Sequence, residues 1–197
     1  MSSGELVVIA VMSALAVLGR SMFFMLPSVK PMSAIVILTG IGFGIEAGFL
    51  TGTVVAFVSN FFFGQGPWTP WQMFTYGILG IIGGFLGEKL SIERKNQKKE
   101  PWRQQEKQRR REKWIVVLVG SLSVMLIYGG IMDAASVLMT YSKWNAGMFL
   151  AAASAGLPVN LIHGGSTAFF LFFLEEPFRK KMERIKKKYG YFQREKI

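Results

Sequence analysis

Residues 91–113 read SIERKNQKKEPWRQQEKQRRREK and carry ten of the chain's 23 lysines and arginines. Nine more lie in the tail after Glu175, from Arg179 to Lys196, so nineteen of the 23 cations fall in two short segments. Only Arg20, Lys30, Lys89 and Lys143 remain for the rest of a 197-residue chain that is 51% hydrophobic. A nucleic-acid binder spreads its cations over a folded face among other polar groups. Here they bracket nearly uncharged apolar stretches, so the net charge of +11 points to a membrane protein and not to a nucleic-acid partner. With 17 Phe, 5 Trp and long aliphatic runs the chain is not disordered. The absence of Cys excludes a disulfide scaffold, thiol catalysis and thiolate metal sites.

Outward from the basic segment, apolar runs occupy 6–25, 32–45, 47–63, 71–86, 114–132 and 146–174, the last interrupted at Gly156-Leu157-Pro158. A spanning helix needs roughly 20 apolar residues, with about 17 as the low end. Five runs meet or nearly meet that length, and 32–45 is short enough to be tilted or buried among the others. The expected fold class is therefore all-α, a polytopic membrane protein of six transmembrane helices forming a single membrane domain over 1–197. Because basic loops face the cytoplasm, 91–113 becomes a basic cytoplasmic loop and 175–197 a basic cytoplasmic tail. Counting spans puts the N- and C-termini on the same cytoplasmic side. The outer loops are then 27–31, 64–70 and about 133–145, carrying only Lys30, Lys143 and Asp133. A cleaved signal peptide is not expected: Ala14-Leu15-Ala16 imitates a cleavage site, but Glu5 stands where a positive region belongs.

The basic segment also contains Glu93, Glu100, Glu106 and Glu112, and Pro101 divides it, so part of it can extend the flanking helices. It fits either a solvated segment beside anionic lipid headgroups or a contact for a cytoplasmic partner.

Four features inside the apolar runs bear on function. Ala10 and Ala14 lie at i and i+4 on the first helix, where small residues let another helix approach closely; ordinary internal packing and the docking of a second membrane subunit both fit. Glycines recur at Gly40, Gly42, Gly44, Gly48 and Gly52, then at Gly77, Gly80, Gly83, Gly84 and Gly87. They predict a tight turn around Glu46 and helices packed hard against each other. None forms a phosphate-binding loop, since 83–89 lacks the spacing and the Ser/Thr, so this chain is not expected to hydrolyse ATP.

The third feature is the loop Phe63-Gly64-Gln65-Gly66-Pro67-Trp68-Thr69-Pro70-Trp71-Gln72, whose prolines and glycines fix a shaped backbone. Trp68 and Trp71 suit either an aromatic belt at the membrane surface or the wall of a ligand site, with Asn60, Gln65 and Gln72 supplying orienting hydrogen bonds. The fourth is Asn160, His163 and Thr167, a polar stripe in an apolar helix. Such groups face a bundle interior or a cavity, either as interhelix bonds or as ligand contacts. A metal or corrinoid role for His163 has no second His to support it. Arg20 and Asp133, near outer helix ends, either reach water or meet a charged group on a substrate. Hydrolase, zinc and paired-carboxylate constellations are missing. No catalytic residue, metal site or cofactor is expected.

The order of these features resembles the substrate-binding S component of an energy-coupling factor (ECF) transporter. It runs from the small-residue first helix through Gly-Phe-Gly-Ile-Glu-Ala-Gly-Phe-Leu-Thr-Gly (42–52) to Val58-Ser59-Asn60-Phe61. The Gly/Pro/Trp loop, a glycine-rich fourth helix and the basic segment follow, and Asn160-Leu161-Ile162-His163-Gly164 precedes the basic tail. The resemblance covers most of 5–185. Members often carry Asp where this chain has Asn60, so a role that needs a carboxylate there does not carry over.

What the resemblance implies is a multi-pass subunit of the bacterial plasma membrane that captures a vitamin or similar micronutrient from outside. It docks through Ala10 and Ala14 on a transmembrane coupling subunit joined to two cytoplasmic ATPases. The substrate region implied by position includes Gln65, Trp68, Trp71, Asn160 and His163. The 63–72 loop is similar to members associated with cobalamin or related corrinoids, although tryptophan walls suit a flavin-like or other ring-bearing vitamin equally well. From the residues themselves, the chain is polytopic, has no energy-transducing motif, and lacks the several intramembrane acids of an ion-driven pump. A self-sufficient facilitator and a membrane assembly factor using the basic segment are the competing readings.

Overall fold

The computed structural model describes residues 1, 3–96 and 101–189. Within them the chain is helical, and α1 spans Ser3–Met22, α2 Met32–Phe43, α3 Ile45–Phe63 and α4 Thr69–Asn96. A further helix, Trp102–Ser123, passes through one π-helical turn, Val124–Tyr128, into Gly129–Tyr141; this continuous rod, Trp102–Tyr141, is α5. The last helix, α6, spans Ala146–Tyr189. The six rods follow the order of the six apolar runs. By length and composition α1, α3, α5 and α6 are long and apolar enough to cross a membrane, and α2 is a shorter apolar helix.

Differences from the expectation lie at helix ends. The Gly156-Leu157-Pro158 interruption does not break α6, which runs on through both Pro158 and Pro177. Asp133 lies in the last third of α5, not in a loop, because the helix continues to Tyr141 before Ser142 caps it in the left-handed region. Most of the basic segment also extends helices. α4 reaches Asn96 and α5 starts directly after Pro101, while the tail stays helical to Tyr189. Residues 97–100 and 190–197 of the basic loop and tail lie outside the described residues.

Ion pairs explain why so charged a segment stays helical. Glu112, only 3% exposed, receives Arg94 Nε at 2.6 Å and Gln108 Nε2 at 3.0 Å. Arg94 also reaches Glu183 at 3.7 Å, and Arg179 bridges Glu175 at 3.1 Å and Glu183 at 3.7 Å. These pairs tie α4, α5 and the tail of α6 together at what is called here the basic end of the bundle. A buried carboxylate is tolerable only with such a partner.

α2 is apolar all round and buried from Met32 to Gly40, as a helix enclosed on all sides must be. It packs against α1, α3, α4 and α6. One residue, Gly44, joins α2 to α3 with φ of 95° and ψ of 177°, a conformation that only glycine adopts at no steric cost.

The most extensive helix pair is α3 with α4. There a Cβ on Gly80 would fall on the Gly48 backbone, and a Cβ on Gly52 on the backbone of Tyr76 and Gly77. Gly83, Gly84 and Gly87 meet the backbone of Ile37, Ile45 and Ile41 in the same way. Both glycine series therefore serve the close crossings that the sequence predicts. Outside, the bundle presents a largely apolar surface, with Val7, Val11, Leu18, Phe57, Leu118 and Phe169 among many exposed large side chains. Contiguous apolar surface on this scale is a membrane-facing feature.

Candidate functional site

At the end opposite the basic segments, here the loop end, α1 closes through loop 23–31, α3 through loop 64–68, and α5 through residues 142–145. Polar side chains collect there beneath the 64–68 loop. Gly64, with φ of 107°, ends α3, and its N–H donates to the Asn60 carbonyl at 2.9 Å. That turn leaves Asn60, 1% exposed, facing inward at the helix end.

The Asn60 side chain uses all three of its strongest contacts. Its Nδ2 donates to Thr69 Oγ1 at 3.0 Å and to Gln72 Oε1 at 2.9 Å, and its Oδ1 accepts from Arg20 Nη1 at 3.2 Å. Arg20 Nη1 also donates to Ser59 Oγ at 2.7 Å, and its guanidinium lies 4.5 Å from the Phe63 ring centre. Thr69, the first residue of α4, accepts from the Gly66 N–H at 3.3 Å and donates to Gln65 Oε1 at 2.8 Å. Gln65 Nε2 in turn donates to the Phe57 carbonyl at 3.3 Å. One asparagine thus joins α1, α3 and α4 and fastens the loop above it.

A second group lies between α2, α4, α5 and α6. His163, 4% exposed, shares a 2.8 Å hydrogen bond between Nε2 and Ser33 Oγ. The Tyr128 ring stands edge-on to it with centroids 4.9 Å apart, and Tyr76 stacks obliquely on Tyr128 at 5.0 Å. Tyr128 ends the π-helical turn of α5. Such a turn shifts the residues after it around the helix and is common at functional sites. The fully buried Tyr76 hydroxyl makes no hydrogen bond, although Ser33 and Tyr128 stand beside it. The Lys30 N–H donates to Ser166 Oγ at 3.1 Å and so fixes loop 23–31 to α6.

Lys30 lies in that loop, outside the helices. Burial first, and then the Arg20 charge, lower its pKa from 10.5 to about 8. The folded chain therefore releases this proton at a pH where the unfolded chain keeps it. Stability from this source rises with pH between about 8 and 10.5. Thermal unfolding of the ligand-free protein in detergent should show the rise, and Lys30→Met should remove it; an unchanged pH profile in that variant would place the charge elsewhere.

The sequence candidates divide among these groups. Asn60, Gln65 and Gln72 form one network, as described, and His163 anchors the second. Trp68 is 40% exposed and its ring covers Gly66, while Trp71 is half-buried in the first turn of α4. Asn160 does not join His163. Its Nδ2 donates to Asp133 Oδ2 at 3.0 Å on the α5 side, and Thr167 bonds back to the His163 carbonyl of its own helix at 2.8 Å. Ala10 and Ala14 are exposed on α1 while Val8, Ile9, Met12 and Val17 face the core. Lys30, Ser33, Tyr76 and Tyr128 were missing from the predicted site, and Arg20 entered it only as a residue that reaches water or meets a charged group on a substrate. The signal for Arg20 was a lone charge in an apolar helix; nothing in the sequence marked the two tyrosines.

A cavity of about 540 Å³ opens at the other, basic end, lined by Glu46, Glu88, Arg94, Glu175 and Arg179 around the Gly44 turn. It holds none of the candidate residues, and its Arg94, Glu175 and Arg179 side chains are engaged in the ion pairs above. It is a gap beneath the α2–α3 turn, not a continuation of the loop-end site. Among the described residues no three His, Asp or Glu side chains converge to hold a metal ion.

An apolar helical bundle with polar groups enclosed near a shaped loop has the make-up of a multi-pass membrane protein. The family of ECF transporter substrate-specific components matches residues 5–174, and the chain belongs to that family. This is a family of transporter substrate-binding components, not of enzymes. No curated protein and no solved structure matches the chain.

Proposed function

We propose that the loop end faces outside and captures a vitamin-like micronutrient, which the chain delivers inward with the help of ATP-driven partners. The observation that carries this reading is the Asn60-centred network, a built polar site in a bundle whose surroundings are apolar. Its hydrogen-bonding groups are preorganised beneath the 64–68 loop. The tryptophans of that loop suit a ring-bearing ligand, corrinoid or otherwise. Asn60, Gln65, Trp68, Trp71 and Gln72 are its contacts on one side, with His163 and Asn160 on the other.

The positive-inside asymmetry supports six crossings of a bacterial plasma membrane, with both termini and the basic segments cytoplasmic. Phosphate-binding motifs are missing from the sequence, so energy has to come from elsewhere. A transmembrane coupling subunit bound to two cytoplasmic ATPases fits, and the exposed Ala10 and Ala14 face of α1 is its docking surface. Small residues there allow close helix contact.

Ala14→Trp tests the docking surface. Its side chain points away from the core, so the variant should insert and bind small molecules normally. Co-purification with a coupling subunit should fall at least about fivefold, as expected for overpacking worth about 1–3 kcal/mol. Intact assembly would instead favour a self-sufficient facilitator, or an assembly factor that acts through the basic segment.

A further inference from the structure

The charges around the loop-end site are one-sided. Among the described residues Asp133 is the one carboxylate at that end, and it is engaged by Asn160 on the α5 side. Arg20 has neutral partners only: the Ser59 hydroxyl, the Asn60 amide oxygen and the face of Phe63. Both of its hydrogen bonds leave from Nη1, so Nε and Nη2 have no acceptor among the described residues. Lys30 forms no ion pair among them either. It lies close enough to Arg20 and His163 for its charge to act on both.

Two neighbouring half-buried cations at the rim of an apolar bundle repel each other and favour a counter-charge between them. The local backbone adds to the imbalance. α2 and α4 both begin at this end, and neither has an acidic residue in its first turn, so their N-terminal dipoles add positive potential.

We propose that this site takes an anionic nutrient, with a carboxylate or phosphate group held between Arg20 and Lys30. The proposal rests on the reading of the loop end as the capture site. The free guanidinium edge offers paired N–H donors in the fork that matches an oxyanion. Lys30, whose lowered pKa of about 8 still leaves it protonated at neutral pH, adds a point charge. A neutral or cationic compound would leave both charges unbalanced.

The test uses the purified full chain in detergent and matched vitamin pairs that differ only in the charged group. Nicotinate with nicotinamide, pantothenate with panthenol, and biotin with its amide examine carboxylate. Riboflavin phosphate with riboflavin, and pyridoxal phosphate with pyridoxal, examine phosphate. Binding is read by calorimetry or by the quenching of Trp68 and Trp71 fluorescence. At least one acid should bind, at least about tenfold more tightly than its neutral partner, as charge-assisted hydrogen bonds to a half-buried cation require.

Arg20→Gln should erase that preference. Asn60→Asp, nearly isosteric, should do so as well by giving Arg20 an internal counter-charge, which guards against misfolding of the first variant. A neutral compound bound as tightly as its acid, or no acid bound at all, overturns the proposal. If a neutral compound binds and Trp68→Ala weakens it, the capture site stands and only the anion is wrong. If an acid binds with unchanged affinity in Arg20→Gln, Asn60→Asp and Trp68→Ala, the site itself lies elsewhere.

Discussion

Replacing Asn60 by leucine is expected to abolish small-molecule capture and to lower the thermal stability of the purified chain at the same time. Leucine has the same branched arrangement of side-chain heavy atoms and is no smaller, so the loss comes from hydrogen bonding and not from a cavity. Its removal leaves Thr69 Oγ1 and Gln72 Oε1 without their donor, and takes from Arg20 the acceptor at 3.2 Å. Each buried polar group left without a partner costs about 1–3 kcal/mol. Because one side chain holds α1, α3 and α4 in register under the loop, binding should fall by at least about a hundredfold even if no atom of Asn60 touches the ligand. Asn60→Asp is the informative control. It keeps the contact to Arg20, and the Thr69 hydroxyl and Gln72 amide can reorient to donate, so it should fold better than the leucine variant. Wild-type binding in Asn60→Leu would remove this network from the site.

The second large effect is structural. Gly80→Leu should prevent the bundle from forming, because the added Cβ lands on the Gly48 backbone carbonyl and near the Phe49 nitrogen. A flexible side chain could move aside, but a helix backbone cannot without separating α3 from α4, the most extensive pair in the fold. Overpacking against a side chain typically costs 1–3 kcal/mol; against backbone the cost should exceed about 4 kcal/mol, in the range of the most severe single substitutions. The control is Gly165→Ala, where a Cβ meets nothing within 4 Å. Gel filtration in mild detergent should show a monodisperse peak for the control and aggregate for Gly80→Leu. A monodisperse Gly80→Leu would mean that α3 and α4 do not cross in backbone contact.

These two positions also show how far the sequence could be read. Gly80 was legible because glycine recurring every three or four residues on an apolar helix has one physical use, close approach of backbones. The element order was legible for a similar reason, since apolar runs bounded by charge have few other solutions. Helix ends were less so. Asp133 looked like a loop residue because a polar group after an apolar run resembles an end, yet α5 continues eight residues to Tyr141.

The site was legible in part. Polar residues in apolar helices stand out, which marked Asn60 and His163 as candidates, and the shaped loop marked Gln72. Their partners depend on which helices are neighbours, and periodicity does not encode that. Asn160 and His163 share a stripe in the sequence but turn to different helices, α5 and α2. Arg20 was visible as a lone charge, but its closeness to Asn60, forty residues away, arises only when α1 packs on α3. Tyr76 and Tyr128 gave no signal because tyrosine in a membrane helix is ordinary. The π-helical turn that precedes Gly129 has no sequence signature.

The central claim is that this chain binds a nutrient alone but needs an energised partner to move it. Transport of a radiolabelled nutrient that the purified chain binds, measured into proteoliposomes, tests this most directly. The chain by itself should bind the compound without accumulating it, with or without ATP. Adding a coupling subunit and two ATPases should give ATP-dependent uptake that Ala14→Trp abolishes. Uptake by the chain alone without ATP would contradict the account.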